Sequence, residues 1–131
     1  MKKKTIAKTI EIANALYPNN KQKSGMRTFH AAFLIKKNKI IQIGLNKRRT
    51  HPVIKKHPYH DGHVGIHAEL DAILKSGKED LSDCDLIVLR VDNNGKLNNS
   101  KPCVGCHSVI QQFGIENIYY STSSGSIDNK I

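Results

Sequence analysis

The run Cys84–Val91 (CDLIVLRV) constrains this chain more than any other stretch. It is short and almost continuously apolar, the pattern of a strand buried on both faces. A sheet covered on both sides needs helices above and below it, and the rest of the sequence supplies them. Residues 5–17 (TIAKTIEIANALY) place Ile6, Ile10, Ala13, Leu16 and Tyr17 on one helical face, with Lys8, Glu11 and Asn14 opposite. Pro18-Asn19-Asn20 is read as the stop. Phe29–Lys36 is rich in β-forming residues, Lys37-Asn38-Lys39 turns, and Ile40–Leu45 returns, so 29–45 reads as a hairpin. A helix is expected from about His67, after Gly65, with Ala68, Ala72 and Ile73 on its apolar side. Asn93-Asn94-Gly95 turns the chain out of the central strand. Val104–Phe113 follows as a helix ended by Gly114, and Glu116–Ser121 as a further strand, in which Tyr119 and Tyr120 face opposite sides. The tail 122–131 either adds a short edge strand or frays.

The order helix, hairpin, helix, strand, helix, strand contains two strand–helix–strand units. Such units need covered faces and right-handed crossovers, so the expected class is α/β, a three-layer α/β/α sandwich around a central mixed sheet of about five strands. A chain of 131 residues holds one core, and 1–131 is read as a single domain. The stretch Asn46–Val64 is the one long irregular segment, and loops of that length are usually functional or disordered.

Chemistry-bearing residues concentrate at two of the expected helix starts: His67-Ala68-Glu69 and Pro102-Cys103-Val104-Gly105-Cys106. A CxxC opening a helix brings its two sulfurs to one face, because positions three apart are neighbours there. His67 completes a set of one imidazole and two thiols, leaving one tetrahedral position of a zinc ion open. Structural zinc sites close all four positions, whereas catalytic ones keep one for water. Glu69 is two residues from His67, and on a regular helix that separation points side chains to nearly opposite sides. Both can face one site only if His67 sits at or before the helix start. Two other uses compete for these residues. A redox CxxC lacks a thioredoxin-like context, and a structural zinc knuckle needs a fourth ligand, for which only the loop histidines offer themselves.

H-A-E followed by P-C-x-x-C resembles the signature of the zinc-dependent cytidine and deoxycytidylate deaminase superfamily, H-x-E…P-C-x-x-C. Both halves match without a gap. The resemblance implies a cytidine-deaminase-like fold, a Zn2+ cofactor held by His67, Cys103 and Cys106, and Glu69 as the general acid/base that is not itself a ligand. Gly44-Leu45-Asn46 resembles the superfamily's G-x-N, whose asparagine binds a sugar hydroxyl, so Asn46 is a candidate substrate contact. Ala68 is another, through a backbone N–H at the helix start directed at the base carbonyl. Phe29-His30-Ala31-Ala32 occupies the place where relatives line the pocket floor with small residues. Lys47-Arg48-Arg49 directly follow Asn46, and Arg48 and Arg49 are expected to grip a 5′-phosphate. His51, His57, His60 and His63, with Asp61 among them, form a loop that either binds a second metal or is a solvated lid.

Within the superfamily one zinc box serves free nucleosides, nucleotides, transfer RNA and single-stranded DNA. The stretch Gly114–Tyr120 looks more like the deoxycytidylate branch, which makes conversion of dCMP to dUMP the leading expectation. The alternative is a deaminase or zinc-containing binding module acting on single-stranded nucleic acid. A net charge of +10 suggests an anionic partner of either kind, or simply a soluble surface. Trp is absent and only three Phe are present, which leaves little for stacking bases and disfavours the polynucleotide. No stretch approaches the roughly 20 apolar residues of a membrane span. Met1-Lys2-Lys3-Lys4 is followed by Lys8, Glu11 and Asn14 rather than by an uninterrupted apolar core, so a cytoplasmic protein is expected. Of three cysteines, Cys84 is left over and reads as a small core residue. The resemblance also implies a homo-oligomer.

Overall fold

The structure, a computed structural model, describes residues 1–24, 29–46 and 67–129. Its elements are α1 (Lys3–Ser24), β1 (Phe29–Lys36), β2 (Lys39–Leu45), α2 (Ala68–Ser76), β3 (Asp85–Val91), β4 (Leu97–Asn98), α3 (Val104–Gln112), β5 (Asn117–Ser121) and β6 (Ile127–Asp128). The apolar run forms β3, in the middle of the sheet. The strand order is β2-β1-β3-β5-β6, with β4 pairing β3 alongside. β1 runs antiparallel to both β2 and β3, while β3 and β5 are parallel and joined through α3.

Alternate residues of a strand point to opposite faces, and this splits the core in two. Leu86 and Val88 join Ala32, Leu34 and Ile118 on one face, beneath Ala68, Ala72 and Ile73 of α2 and Cys106 and Ile110 of α3. Ile87, Leu89 and Val91 join Phe29, Ala31, Phe33 and Ile35 on the other, against Ala13 and the half-buried Ile6, Ile10, Leu16 and Tyr17 of α1. Three layers result. Each Leu, Ile, Val or Phe buried this way stabilises the fold by roughly 1.5–3 kcal/mol. The half-buried Tyr119 packs on the α1 face; Tyr120, which is buried, follows it and so takes the opposite face, as the alternation requires. Cys84 is buried in the α2/α3-side core.

Two expectations need correction. The first helix does not stop at Pro18 but runs on to Ser24. A proline removes its own helix hydrogen bond and crowds the preceding turn, which weakens a helix without obliging it to end. The sheet holds six strands rather than about five, because two are only two residues long. β4 forms where the chain turns back after Gly95 (φ 76°) and sets Leu97 opposite Val91 and Asn98 opposite Arg90. The Asp92 carboxylate accepts from the backbone N–H groups of Asn94 and Lys96 and holds that turn. β6 is the short edge strand offered by the tail, paired to β5.

Gly44 decides how closely α2 lies on β2. A Cβ there would collide with the backbone of Ala68 and Ala72, so the absent side chain lets the start of α2 settle against the strand. The buried Asp71 carboxylate fastens the same junction, accepting from Leu45 N at 2.9 Å and pairing with Lys75 Nζ at 2.9 Å. Among the described residues no helix is long and apolar enough to cross a membrane.

Candidate active site

Helices α2 and α3 begin side by side, and the residue capping each one carries a ligand atom. His67 caps α2 in an extended conformation (φ −76°, ψ 153°), and Cys103 caps α3 likewise (φ −68°, ψ 168°). Their carbonyls start the helices, accepting from Asp71 N and His107 N. Because His67 precedes the first helical residue, the rotation between positions two apart does not separate it from Glu69. Cys106 lies in the first turn of α3, and its N–H donates to Cys103 Sγ at 3.4 Å. His67 Nδ1 is 2.8 Å from Cys106 Sγ and 3.5 Å from Cys103 Sγ. All three ligand atoms fall within 4.8 Å of one another, and no other such group occurs among the described residues.

Tetrahedral zinc, with bonds of about 2.0–2.3 Å, separates its ligand atoms by roughly 3.5–3.8 Å. One ion can therefore touch all three with small adjustments, and two thiols plus an imidazole are the soft and borderline donors that zinc favours. The sulfurs differ. A hydrogen bond from Cys106 draws the Cys103 thiol down, against its partial burial and with His67 helping. Cys106 moves up, through that same bond and its own burial. Both sulfurs also sit at helix N-termini, whose partial positive charge favours the ionised form. Glu69 is 5% exposed, and burial pushes its carboxyl up, with its own backbone N–H and His67 opposing. A carboxyl poised to hold a proton is what acid/base chemistry asks for.

These groups open on a cavity of about 200 Å³, lined by His67, Glu69 and Cys103 together with Asn46, Ala68, His30, Ser100 and Lys101. Asn46 is buried at 4% exposure and clamped from both sides: its N–H donates to His30 O at 3.3 Å, and its Oδ1 accepts from His30 N at 3.0 Å. Of Phe29-His30-Ala31-Ala32 only His30 lines the cavity; Phe29 and Ala31 belong to the opposite face, and Ala32 to the core beneath. Arg48, Arg49 and the histidine-rich loop lie outside the described residues.

Ser100 and Lys101 escaped the sequence reading. Ser100 is held by a buried clasp with Ser121: Ser100 N donates to Ser121 O (2.9 Å) and Ser121 N to Ser100 Oγ (2.8 Å), while Ser100 Oγ donates to Val88 O (2.7 Å). Ser121 Oγ donates to Asn98 O at 2.6 Å and accepts from Arg90 N at 3.1 Å. The β3–β5 pairing extends to Val88 and Tyr120, and just beyond it Ser100 bridges the two strands. That contact fixes where the chain sets off toward Cys103.

The profile described as the cytidine and deoxycytidylate deaminase zinc-binding region matches residues 3–122. The chain belongs to this family. Proteins of known structure share its fold at low sequence identity. The dCMP deaminase of the cyanophage S-TIM5, solved with dCMP and dUMP, superposes with a TM-score of 0.62 at 21% identity, over 94% of this chain and 85% of that one. Cytidine deaminase from Burkholderia pseudomallei gives 0.62 at 14% identity, over 99% and 92%. A diaminohydroxyphosphoribosylaminopyrimidine deaminase/reductase from Thermotoga maritima gives 0.51 at 23% identity, over 91% of this chain and 30% of that protein. A search of curated proteins finds no significant match. Zinc is the cofactor of the deaminase domain, and among the described residues the group formed by His67, Cys103 and Cys106 could hold it.

Proposed function

We propose that this chain is a zinc-dependent hydrolase that deaminates a cytosine nucleoside or nucleotide, with dCMP to dUMP as its reaction. The observation that carries this is the buried Glu69 carboxyl in the same cavity as His67 and Cys103. His67, Cys103 and Cys106 would hold the zinc ion, which when bound supplies Lewis acidity and a water that ionises near neutral pH. Glu69 would take a proton from the attacking water and deliver it to the ring nitrogen beside the attacked carbon, then take the proton left on the added hydroxyl and give it to the departing amine. Water and cytosine thus become uracil and ammonia with one carboxyl moving the protons. Ala68 offers its N–H, among the first of α2 and so without a helical acceptor, to the base carbonyl. Asn46, oriented by His30, receives a sugar hydroxyl. Arg48 and Arg49 follow it on the sugar side and would meet a 5′-phosphate. Reading 1–131 as one domain, a cytoplasmic location and a homo-oligomer accompany this proposal.

The net charge of +10 supports a second reading, action on a single-stranded polynucleotide. Ammonia release by the zinc-loaded protein from dCMP, deoxycytidine, single-stranded DNA and transfer RNA separates the two. Turnover of dCMP is expected. Turnover confined to a polynucleotide, falling steeply with salt, would favour the second reading, and no release from any of the four would overturn both. Glu69→Gln should retain zinc and fold but lose at least about 10²–10⁴-fold in kcat. A variant keeping a third of the rate would show that another group moves the protons.

A further inference from the structure

The corner where the start of α1 meets the β1–β2 turn gathers six exposed lysines. Lys2, Lys3, Lys4 and Lys8 come from the beginning of α1 and the residue before it, and Lys37 and Lys39 from the turn. The two segments are tied together: Asn38 Oδ1 accepts from Lys2 N at 3.0 Å, and Thr5 Oγ1 donates to Asn38 O at 3.4 Å. Between them lies an open cleft of about 560 Å³, whose lining includes Lys4, Lys8, Lys39, Asn38 and Glu11.

Folding does not ask for positive charge here. The N-terminal end of a helix carries partial positive charge and favours acidic residues, yet the first turn of α1 has none and Lys2, Lys3 and Lys4 stand there instead. Lys37 is held in the left-handed region (φ 50°), where glycine or asparagine fits at less cost. Lys39 stands opposite Lys36 across the hairpin, and like charges so placed repel. Two carboxylates at this end of the sheet are engaged elsewhere: Asp83 pairs with Lys36 at 2.9 Å, and Asp85 Oδ1 accepts from Asn117 Nδ2 at 3.1 Å. Glu11, 3.9 Å from Lys8, is the one carboxylate lining the cleft among the described residues, and their other ion pairs involve none of the six lysines.

We propose that this corner is a docking surface for double-stranded DNA, held through its phosphates without regard to sequence. Lysine places a compact charge on a flexible stem, and such contacts with a phosphate backbone carry sequence-independent binding. Among the described residues lining the cleft none is aromatic, so unstacked bases find no platform and the duplex is favoured over the single strand. The apolar side of α1 is packed on the sheet, which leaves it no hydrophobic face to sink into a lipid surface. The cleft is also far from the catalytic cavity. α1 covers the face of the sheet opposite α2 and α3, and the turn lies roughly 23 Å along β1 from His30. A base stacked in a duplex cannot reach a deaminase site. The contact therefore holds the enzyme on DNA while the cavity on the other face takes free nucleotide. The choice of DNA over RNA rests on the proposed function, whose substrate and product are deoxynucleotides.

The test is fluorescence anisotropy of a labelled DNA duplex of about 20 base pairs, titrated with zinc-loaded protein between about 50 and 200 mM salt. Binding is expected with a Kd of about 10⁻⁴–10⁻⁶ M near physiological salt, and the log–log salt slope should be about −3.5 to −5 for four to six engaged lysines. Lys4→Gln/Lys39→Gln should weaken binding by roughly 10–100-fold at low salt and make the slope shallower by about 2. It should unfold at the same temperature as wild type or slightly higher, because it relieves repulsion and strands no partner. Lys78→Gln/Lys96→Gln removes the same charge from exposed positions elsewhere and should bind like wild type. Turnover of dCMP should be unchanged by saturating duplex and by the Lys4/Lys39 variant. Absence of duplex binding overturns the proposal, as does equal weakening by the two double variants. Tighter binding to an oligothymidine of the same length, binding to anionic lipid vesicles but not to duplex, or inhibition of dCMP turnover by the duplex overturns it too. If wild type releases no ammonia from dCMP yet holds the duplex through Lys4 and Lys39, the docking surface stands and the deaminase reading falls.

Discussion

Ser121→Ala removes one oxygen atom from the clasp that positions the approach to Cys103. Ser121 is fully buried, at 0% exposure. Its Oγ donates to Asn98 O at 2.6 Å, accepts from Arg90 N at 3.1 Å, and lies 2.8 Å from Ser100 Oγ. Alanine deprives the Asn98 carbonyl and the Arg90 N–H of this partner, while Ser100 Oγ keeps Val88 O and Ser121 N. A buried group left unsatisfied costs about 1–3 kcal/mol. Two such groups, partly relieved by relaxation, set the expected loss at about 2–4 kcal/mol, a large share of the roughly 5–15 kcal/mol that holds a typical domain. Urea unfolding at a fixed excess of zinc measures it: the midpoint should fall with the slope unchanged. The control is Ser124→Ala, in the exposed 122–126 loop, which should stay within about 0.5 kcal/mol of wild type. A Ser121→Ala loss as small as the control's would refute the clasp as an energetic element. Zinc affinity should fall along with stability, because Cys103 follows Ser100 by three residues along a segment this clasp anchors.

Gly44→Ala should destabilise the fold by about 1–3 kcal/mol and weaken zinc binding in a chelator competition, because the new methyl forces α2 and its cap His67 off β2; unchanged zinc affinity would show that α2 does not carry His67 with it. His30 is held down to about 4, first by burial and then by Arg90 on β3 and His67 at the start of α2, so its contribution is fully present above about pH 6.5 and is lost as pH falls through 4. Stability measured from pH 7 to 4 should therefore decline less in His30→Gln than in wild type, by up to roughly 2–3 kcal/mol, and parallel curves would contradict this.

The parts of this molecule readable from sequence are those where local pattern and tertiary role coincide. The run at 84–91 is apolar because both faces of β3 are covered, and the two cysteines and His67 sit at helix starts because a cap is where a side chain can turn aside from the helical rotation. Reading failed where the deciding partner is distant in the chain. Leu97-Asn98 is too short for any periodicity, and it becomes a strand because Asp92 ties the turn and Ser121 donates to the carbonyl of the returning Asn98. Ser100 and Lys101 look like ordinary loop residues; burial of one and the cavity beside the other exist only once β5 is in place. Arg90 belongs to a third kind, visible in the sequence but easily passed over. It stands within a buried strand, at the parity of Leu86 and Val88, where every local preference asks for an apolar side chain. A sequence that agrees with its fold at other levels and departs from it at one inward position marks a place where something other than folding set the residue. Its nearest cross-strand neighbour, His30, breaks the same rule on β1 and lines the cavity. Two departures from the apolar pattern thus fall on paired strands at one rung, where His30 meets the cavity and the charge of Arg90 bears on its ring.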